Sequence, residues 1–295
     1  MKGLGLVMVV FLCLTFFLPP CVIAKAQEEN FFATELLATY STDYSRSGEG
    51  RKENLRLATA KINGTIVRDG EVFSFNEVVG ERTIENGYKE SPVIEKGEYV
   101  IGVGGGVCQV STTLYNAILR AGLRILKVSP HSLPVGYVPP SMDAMVSSAT
   151  DFRFFNDSPY PITIKGEAKG GKLTFLIYGF KMITDGEEIK YSSKVVNNLP
   201  ATYEEVFDEE AVLQEGEEFK ILKRAKDGLV SECYKEVYYR GELVRKEIVR
   251  RDRYNPEQGV KLIRKPGENE VELGDDPEKK ICLTIDNARA SVIYY

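Results

Sequence analysis

The chain has 295 residues, 43% hydrophobic and 27% charged, with 26 Gly and 13 Pro. This supplies a core and excludes disordered, collagen-like and coiled-coil chains, and the length suggests about two domains. A net charge of -5 excludes a protein that coats nucleic acid. One His and five Cys, without CxxC or HExxH spacing, speak against a metal centre, and no cofactor motif is present.

Residues 1–26 read as a secretory signal peptide. Lys2 precedes an apolar run from Gly3 to Leu18, Pro19-Pro20 stops it, and Ala24-Lys25-Ala26 has the small-x-small form of a cleavage site. The run is shorter than the roughly 20 residues of a comfortable membrane span. Anchoring in a membrane by an uncleaved N-terminal segment is the alternative. Either way the protein is expected outside the cytoplasmic membrane, secreted or in the cell envelope. Of the five cysteines, Cys108, Cys233 and Cys282 then remain, an odd number that leaves at least one without a partner in the chain. Cys233 and Cys282 are candidates for a disulfide.

The expected fold class is α+β, a mixed or antiparallel sheet with a Cys at a helix N-terminus, followed by a smaller β-rich C-terminal domain. Residues 27–50 read as a polar lead-in, 51–181 as the main domain and 182–295 as the β-rich region. Apolar spacing predicts a helix over Glu53 to Asn63, closed by Gly64. Short strands follow at Val72 to Phe75 and Glu98 to Val103. Val107, Val110, Leu114, Ile118 and Ala121 then recur at helical spacing, up to Gly122. A strand is expected over Leu123 to Val128, and an antiparallel pair over 152–165 and 172–180. Farther on, Glu204 to Glu218 holds eight acids and no base. Cys233 to Tyr239 and Leu243 to Val249 form a hairpin pattern across Arg240-Gly241, and Ile281 to Tyr295 reads as one strand.

Gly104-Gly105-Gly106-Val-Cys108 opens the second helix. Unpaired N–H groups and the helix dipole there favour a thiolate, so Cys108 is a candidate nucleophile. Bare glycine N–H groups suit a developing oxyanion, making Gly104, Gly105 and Gly106, with Gln109, Ser111 and Thr112 beyond them, candidates for oxyanion or substrate contacts. The competing reading is a small buried Cys after a tight turn. Phosphate binding lacks the lysine of a P-loop. His131, the only imidazole in the chain, is the available base for Cys108. Asp143 and Asp151 are candidates to orient it, with Asn156 a further choice. Arg51, Asn54, Arg82 and Tyr88 read as substrate contacts or as ordinary ion-pairing residues.

The sequence resembles the VanW family of bacterial cell-envelope proteins over about residues 38–180. The resemblance lies in Arg51-x-x-Asn54, Lys61 to Gly64, Phe73 to Asn76, Val79 to Arg82, Asn86 to Tyr88, GGGVCQVSTTLYNA from Gly104, Pro130 to Ser132, Tyr137 to Pro139, Asp143-Ala144 and Asp151 to Asn156. Ser141 to Ala149 departs from the family's glycine-containing form. The C-terminal zone is similar to tails that follow this domain in relatives and, remotely, to G5-type modules. The resemblance implies peptidoglycan work. Some members are L,D-transpeptidases with a cysteine nucleophile, which carried over is Cys108, with His131 supported by motif position. The expected function is thus acyl transfer through a Cys108 thioester between peptidoglycan stem peptides, making 3→3 crosslinks. The alternatives are a non-catalytic wall-binding or assembly module and a hydrolase.

Overall fold

A computed structural model describes residues 35–95, 97–180, 186–264, 282–286 and 289–293. The expected signal at 1–26 lies outside these residues. Among them, no helix is long and apolar enough to cross a membrane.

The main sheet has the order β1-β9-β8-β2, all antiparallel: β1 (Glu35–Asp43), β2 (Ile66–Val67), β8 (Ile162–Lys169) and β9 (Lys172–Gly179). Leu173, Phe175 and Ile177 alternate inward along β9, as period-2 geometry requires of a half-buried strand. Helices α1 (Glu49–Ile62) and α3 (Val107–Arg120) pack against this sheet, α1 on β8 and α3 on β1 and β9. Nearly all of α3 is buried, from Val107 through Leu119. A second sheet, β3-β7-β6, is made of β3 (Val72–Ser74), β6 (Arg124–Lys127) and β7 (Arg153–Phe155). The short helix α2 (Phe75–Val79) follows β3, and β4 (Glu90–Glu95) and β5 (Glu98–Val103) form a separate hairpin.

Four expectations change within this main unit. The polar lead-in at 27–50 contributes β1, paired along its length with β9, so this stretch completes the main sheet. The first helix begins four residues early, at Glu49. Gly50 sits there because an added Cβ would lie 2.7 Å from the Glu90 carbonyl oxygen. Phe75 leaves the strand and starts α2, because the Ser74 hydroxyl accepts the Glu77 N–H and caps it. The strand over 152–165 splits into β7 and β8. Between them the Asn156 amide donates to the carbonyls of Val67 and Tyr160, both at 2.9 Å, and two prolines interrupt any ladder.

Beyond the main unit, β10 (Glu187–Leu199), β13 (Gly228–Tyr239) and β14 (Glu242–Tyr254) form an antiparallel sheet in the order β10-β13-β14. The expected hairpin is β13–β14. Its turn residues Arg240 and Gly241 both have positive φ, 50° and 87°, the twist that a two-residue connection demands. β11 (Tyr203–Phe207), β12 (Phe219–Lys223) and β15 (Gly259–Ile263) make a third sheet in which β11 and β15 run parallel. The last stretch is a hairpin of β16 (Cys282–Asp286) and β17 (Arg289–Ile293), where one strand was expected. Cys233 is a free, fully buried thiol against Val138 and Met142. Burial pushes its pKa up to about 11.

Candidate active site

The glycine run connects β5 to α3. Gly104 and Gly106 adopt φ of 84° and 107°, open to glycine at no steric cost. Space is equally restrictive: a Cβ on Gly105 would stand 2.6 Å from the Pro92 carbonyl oxygen and 2.8 Å from the Ser91 side chain. Cys108 is the second residue of α3, where the positive end of the helix dipole favours negative charge. It is partly exposed, and its sulfur lies 3.3 Å from the Val146 carbonyl.

His131 lies in an irregular connection between β6 and β7, and α3 holds that connection down. The Ser111 hydroxyl donates to the Ala144 carbonyl at 2.6 Å, the Ala144 N–H donates to the Thr112 hydroxyl at 2.9 Å, and the Asn116 amide donates to the Met142 carbonyl at 2.7 Å. Asp143 is thereby carried to His131. One carboxylate oxygen, Oδ2, meets both His131 Nδ1 at 2.6 Å and the His131 backbone N–H at 2.7 Å. Nε2 is the ring nitrogen left for Cys108.

The C-terminal sheet completes the arrangement. The Tyr254 hydroxyl donates to Asp143 Oδ1 at 2.7 Å and accepts the Ser141 N–H at 2.9 Å. Arg250 donates to the Asp143 carbonyl and pairs with Asp252 at 2.7 Å. Ser141 also hydrogen-bonds Ser231 of β13.

Burial opposes charge on all three central groups, and their mutual contacts overcome it. For Cys108, the hydrogen bond and charge of His131, with Arg82 nearby, bring the thiol below its ordinary value. For His131, Asp143 and Cys108 together raise the imidazole to about 9. For Asp143, the bonds from His131 and Tyr254 hold the carboxyl below the usual range. These contacts favour the thiolate, imidazolium and carboxylate forms of the three groups over what burial alone would allow.

Cys108 and His131 open onto a cavity of about 980 Å³. The glycine run, Arg51, Arg82, Tyr99, Tyr137 and Val146 contribute to its wall. Among the described residues, no group of three or more His, Cys, Asp or Glu is placed to hold a metal ion.

Other candidate residues have different places. Asp151 does not reach His131. Its carboxylate accepts the Ser74 hydroxyl at 2.7 Å and the Asn76 N–H at 2.9 Å, so it caps α2. Ser111 and Thr112 are fully buried and spend their hydroxyls on Ala144, which makes them anchors of the His131 connection and not substrate contacts. Gln109 bridges Arg51 to Thr42 and the Asp43 carbonyl. Asn54 ties the Lys89 and Gly105 carbonyls together. Sequence reasoning missed Arg250 and Tyr254. The available signal was the alternation in β14, where Arg250, Asp252 and Tyr254 face inward while Arg251 and Arg253 face solvent.

Residues 50–178 match the family model described as VanW like protein. The chain is 45% identical over 152 residues to the uncharacterized protein YoaR of Bacillus subtilis (strain 168), covering 51% of this chain and 50% of that protein. It is 34% identical over 83 residues to the vancomycin B-type resistance protein VanW of Enterococcus faecalis (strain ATCC 700802 / V583), covering 28% of this chain and 30% of that one. The matched stretch thus spans half or less of either relative. Two solved G5 domains also align. HP0197-G5 is 19% identical at a TM-score of 0.17, covering 26% of this chain and 97% of that one. The IgA1 protease G5 domain is 18% identical at 0.21, covering 28% and 94%.

Proposed function

We propose, from the match of residues 50–178 to the VanW family model and from the two relatives that share this stretch, that the chain is a cysteine acyltransferase of the bacterial cell wall, an L,D-transpeptidase that joins peptidoglycan stem peptides outside the cytoplasmic membrane. The observation that carries this reading is that Cys108 and His131 share the wall of one cavity, with the buried Asp143 carboxylate 2.6 Å from His131 Nδ1. A covalent nucleophile splits a difficult acyl transfer into two easier steps.

In the first step the Cys108 thiolate attacks the carbonyl carbon of the third stem residue. The Gly104 N–H is spent on the Lys89 carbonyl at 3.1 Å, so the N–H groups that follow it in the glycine run take the developing oxyanion, a contribution of about 3 kcal/mol for one donor. As the C–N bond to the terminal D-Ala breaks, the His131 imidazolium gives its proton to the departing amine. A thioester and a neutral imidazole remain. In the second step a neighbouring stem's side-chain amine attacks the thioester and His131 takes its proton. The C–S bond breaks, and the thiolate and imidazolium are restored. Asp143 keeps His131 in the tautomer and orientation that both transfers need.

The test is incubation of wild-type and Cys108→Ala protein with a disaccharide-tetrapeptide, followed by mass spectrometry. Wild type is expected to give crosslinked dimer and the variant none. Equal dimer in both would remove Cys108 from the chemistry. Wild type yielding only shortened monomer would make the protein a hydrolase.

A further inference from the structure

We propose that Arg51 and Arg82 form a carboxylate-binding pair beside Cys108, and that the cavity takes peptides whose free terminal carboxylate lies next to the bond that Cys108 attacks. This deepens the acyltransferase reading and rests on it for the identity of that bond. The carboxylate site itself stands on separate observations.

The two arginines enter the site on either side of the glycine run. A Cβ on Gly104 would lie 3.0 Å from the Arg82 stem, and a Cβ on Gly106 would lie 2.9 Å from the Arg51 stem. Absent side chains at these two positions therefore make room for both cations next to the loop that leads into Cys108. Each guanidinium is held by a neutral amide. Arg51 donates to Gln109 Oε1 at 2.9 Å, and Arg82 donates to Asn76 Oδ1 at 2.5 Å. The amides are fixed in turn, Gln109 by Thr42 and the Asp43 carbonyl, Asn76 by the Ser147 and Thr150 carbonyls.

An amide orients a guanidinium without cancelling its charge. Among the described residues, neither arginine forms an ion pair with a carboxylate. The nearby acids are engaged or turned outward: Asp151 caps α2, Asp143 holds His131, and Glu81 at the cavity rim is exposed. Two oriented guanidinium forks, neither of them in a salt bridge, in a partly enclosed site match the planar geometry of a carboxylate. Their distance along the chain from the thiol does not matter, because both stems abut the glycines that precede it. A terminal carboxylate one residue past the scissile carbonyl is the anion that a peptide brings to this place.

The experiment measures binding to Cys108→Ala protein, which cannot turn over, by calorimetry. The probes are a stem tetrapeptide with a free terminal carboxylate and the same peptide with a terminal carboxamide. The acid is expected to bind about tenfold or more tightly, the scale of a lost charge-assisted contact. Arg51→Gln and Arg82→Gln, added separately to Cys108→Ala and checked for folding by circular dichroism, are each expected to remove most of that preference. Equal affinity for acid and amide overturns the proposal without any arginine variant, and so does a preference that survives both substitutions. A clear preference in a protein whose wild type forms no thioester would uphold the carboxylate site while the acyltransferase reading fails. Thioester formation with no preference would do the reverse.

Discussion

His131 stands between two groups that both want it charged. Asp143 holds Nδ1 from one side and the Cys108 thiolate faces it from the other, so the imidazole keeps its proton up to about pH 9. The sign of the pH dependence follows. The folded value lies above the ordinary 6.5, so the stability that protonated His131 contributes is full below 6.5 and is lost as pH rises through about 9. Cys108 runs the other way: its folded value is lowered, so its contribution is full above the ordinary thiol value of 9.0 and is lost as pH falls through the folded one. The chain's single histidine makes this directly observable by NMR. Its imidazole is expected to titrate near 9 in the wild type and lower in Cys108→Ala. Alkylation of Cys108 by iodoacetamide should show a midpoint below 9.0, moved upward in His131→Ala. Midpoints unmoved by either substitution would separate the two side chains.

At the scale of elements, α3 does two jobs with one face of its first turns, because Cys108, Ser111 and Thr112 recur at helical spacing. Its N-terminus presents Cys108, and its Ser111, Thr112 and Asn116 side chains hold the connection that bears His131 and Asp143. The helix start is set by the glycine run wedged against β4. Gly105→Ala would drive a Cβ into the backbone of Pro92 and the side chain of Ser91, neither of which is a flexible end. The expected cost is about 1–3 kcal/mol, read by chemical denaturation. A loss of Cys108 alkylation out of proportion to unfolding would show that the helix start has shifted. Wild-type stability in this variant would mean that the junction is looser than its contacts imply.

Over the whole molecule, the C-terminal sheet is joined to the candidate site by polar contacts that are buried. Arg250 and Asp252 are each 8% exposed, and Asp143 is 1% exposed. Removing one member of such a set strands the others, so Arg250→Gln is expected to destabilise the protein by about 3–5 kcal/mol in chemical denaturation. Tyr254→Phe is the milder change, because it keeps the ring and removes only the hydroxyl that bridges Asp143 and Ser141. It should cost about 1–3 kcal/mol and slow Cys108 alkylation. Alkylation at the wild-type rate in both variants would make the C-terminal sheet a neighbour of the site and not part of its support.

Local patterns carried what was readable from the residues alone. The 3.6-residue spacing after Val107 and the glycines before Cys108 mark the helix and its start, and Arg240-Gly241 marks the β13–β14 turn, because helices and tight turns are decided by residues close in the chain. The choice of Asp143 over Asp151, the addition of β1 to the sheet, and the reach of Arg250 and Tyr254 to a loop more than a hundred residues upstream came only with the tertiary structure. Asp143 and Asp151 look alike in sequence. They part company because α3 pulls one toward His131 while Ser74 and Asn76 claim the other, and such competition exists only once distant segments have packed.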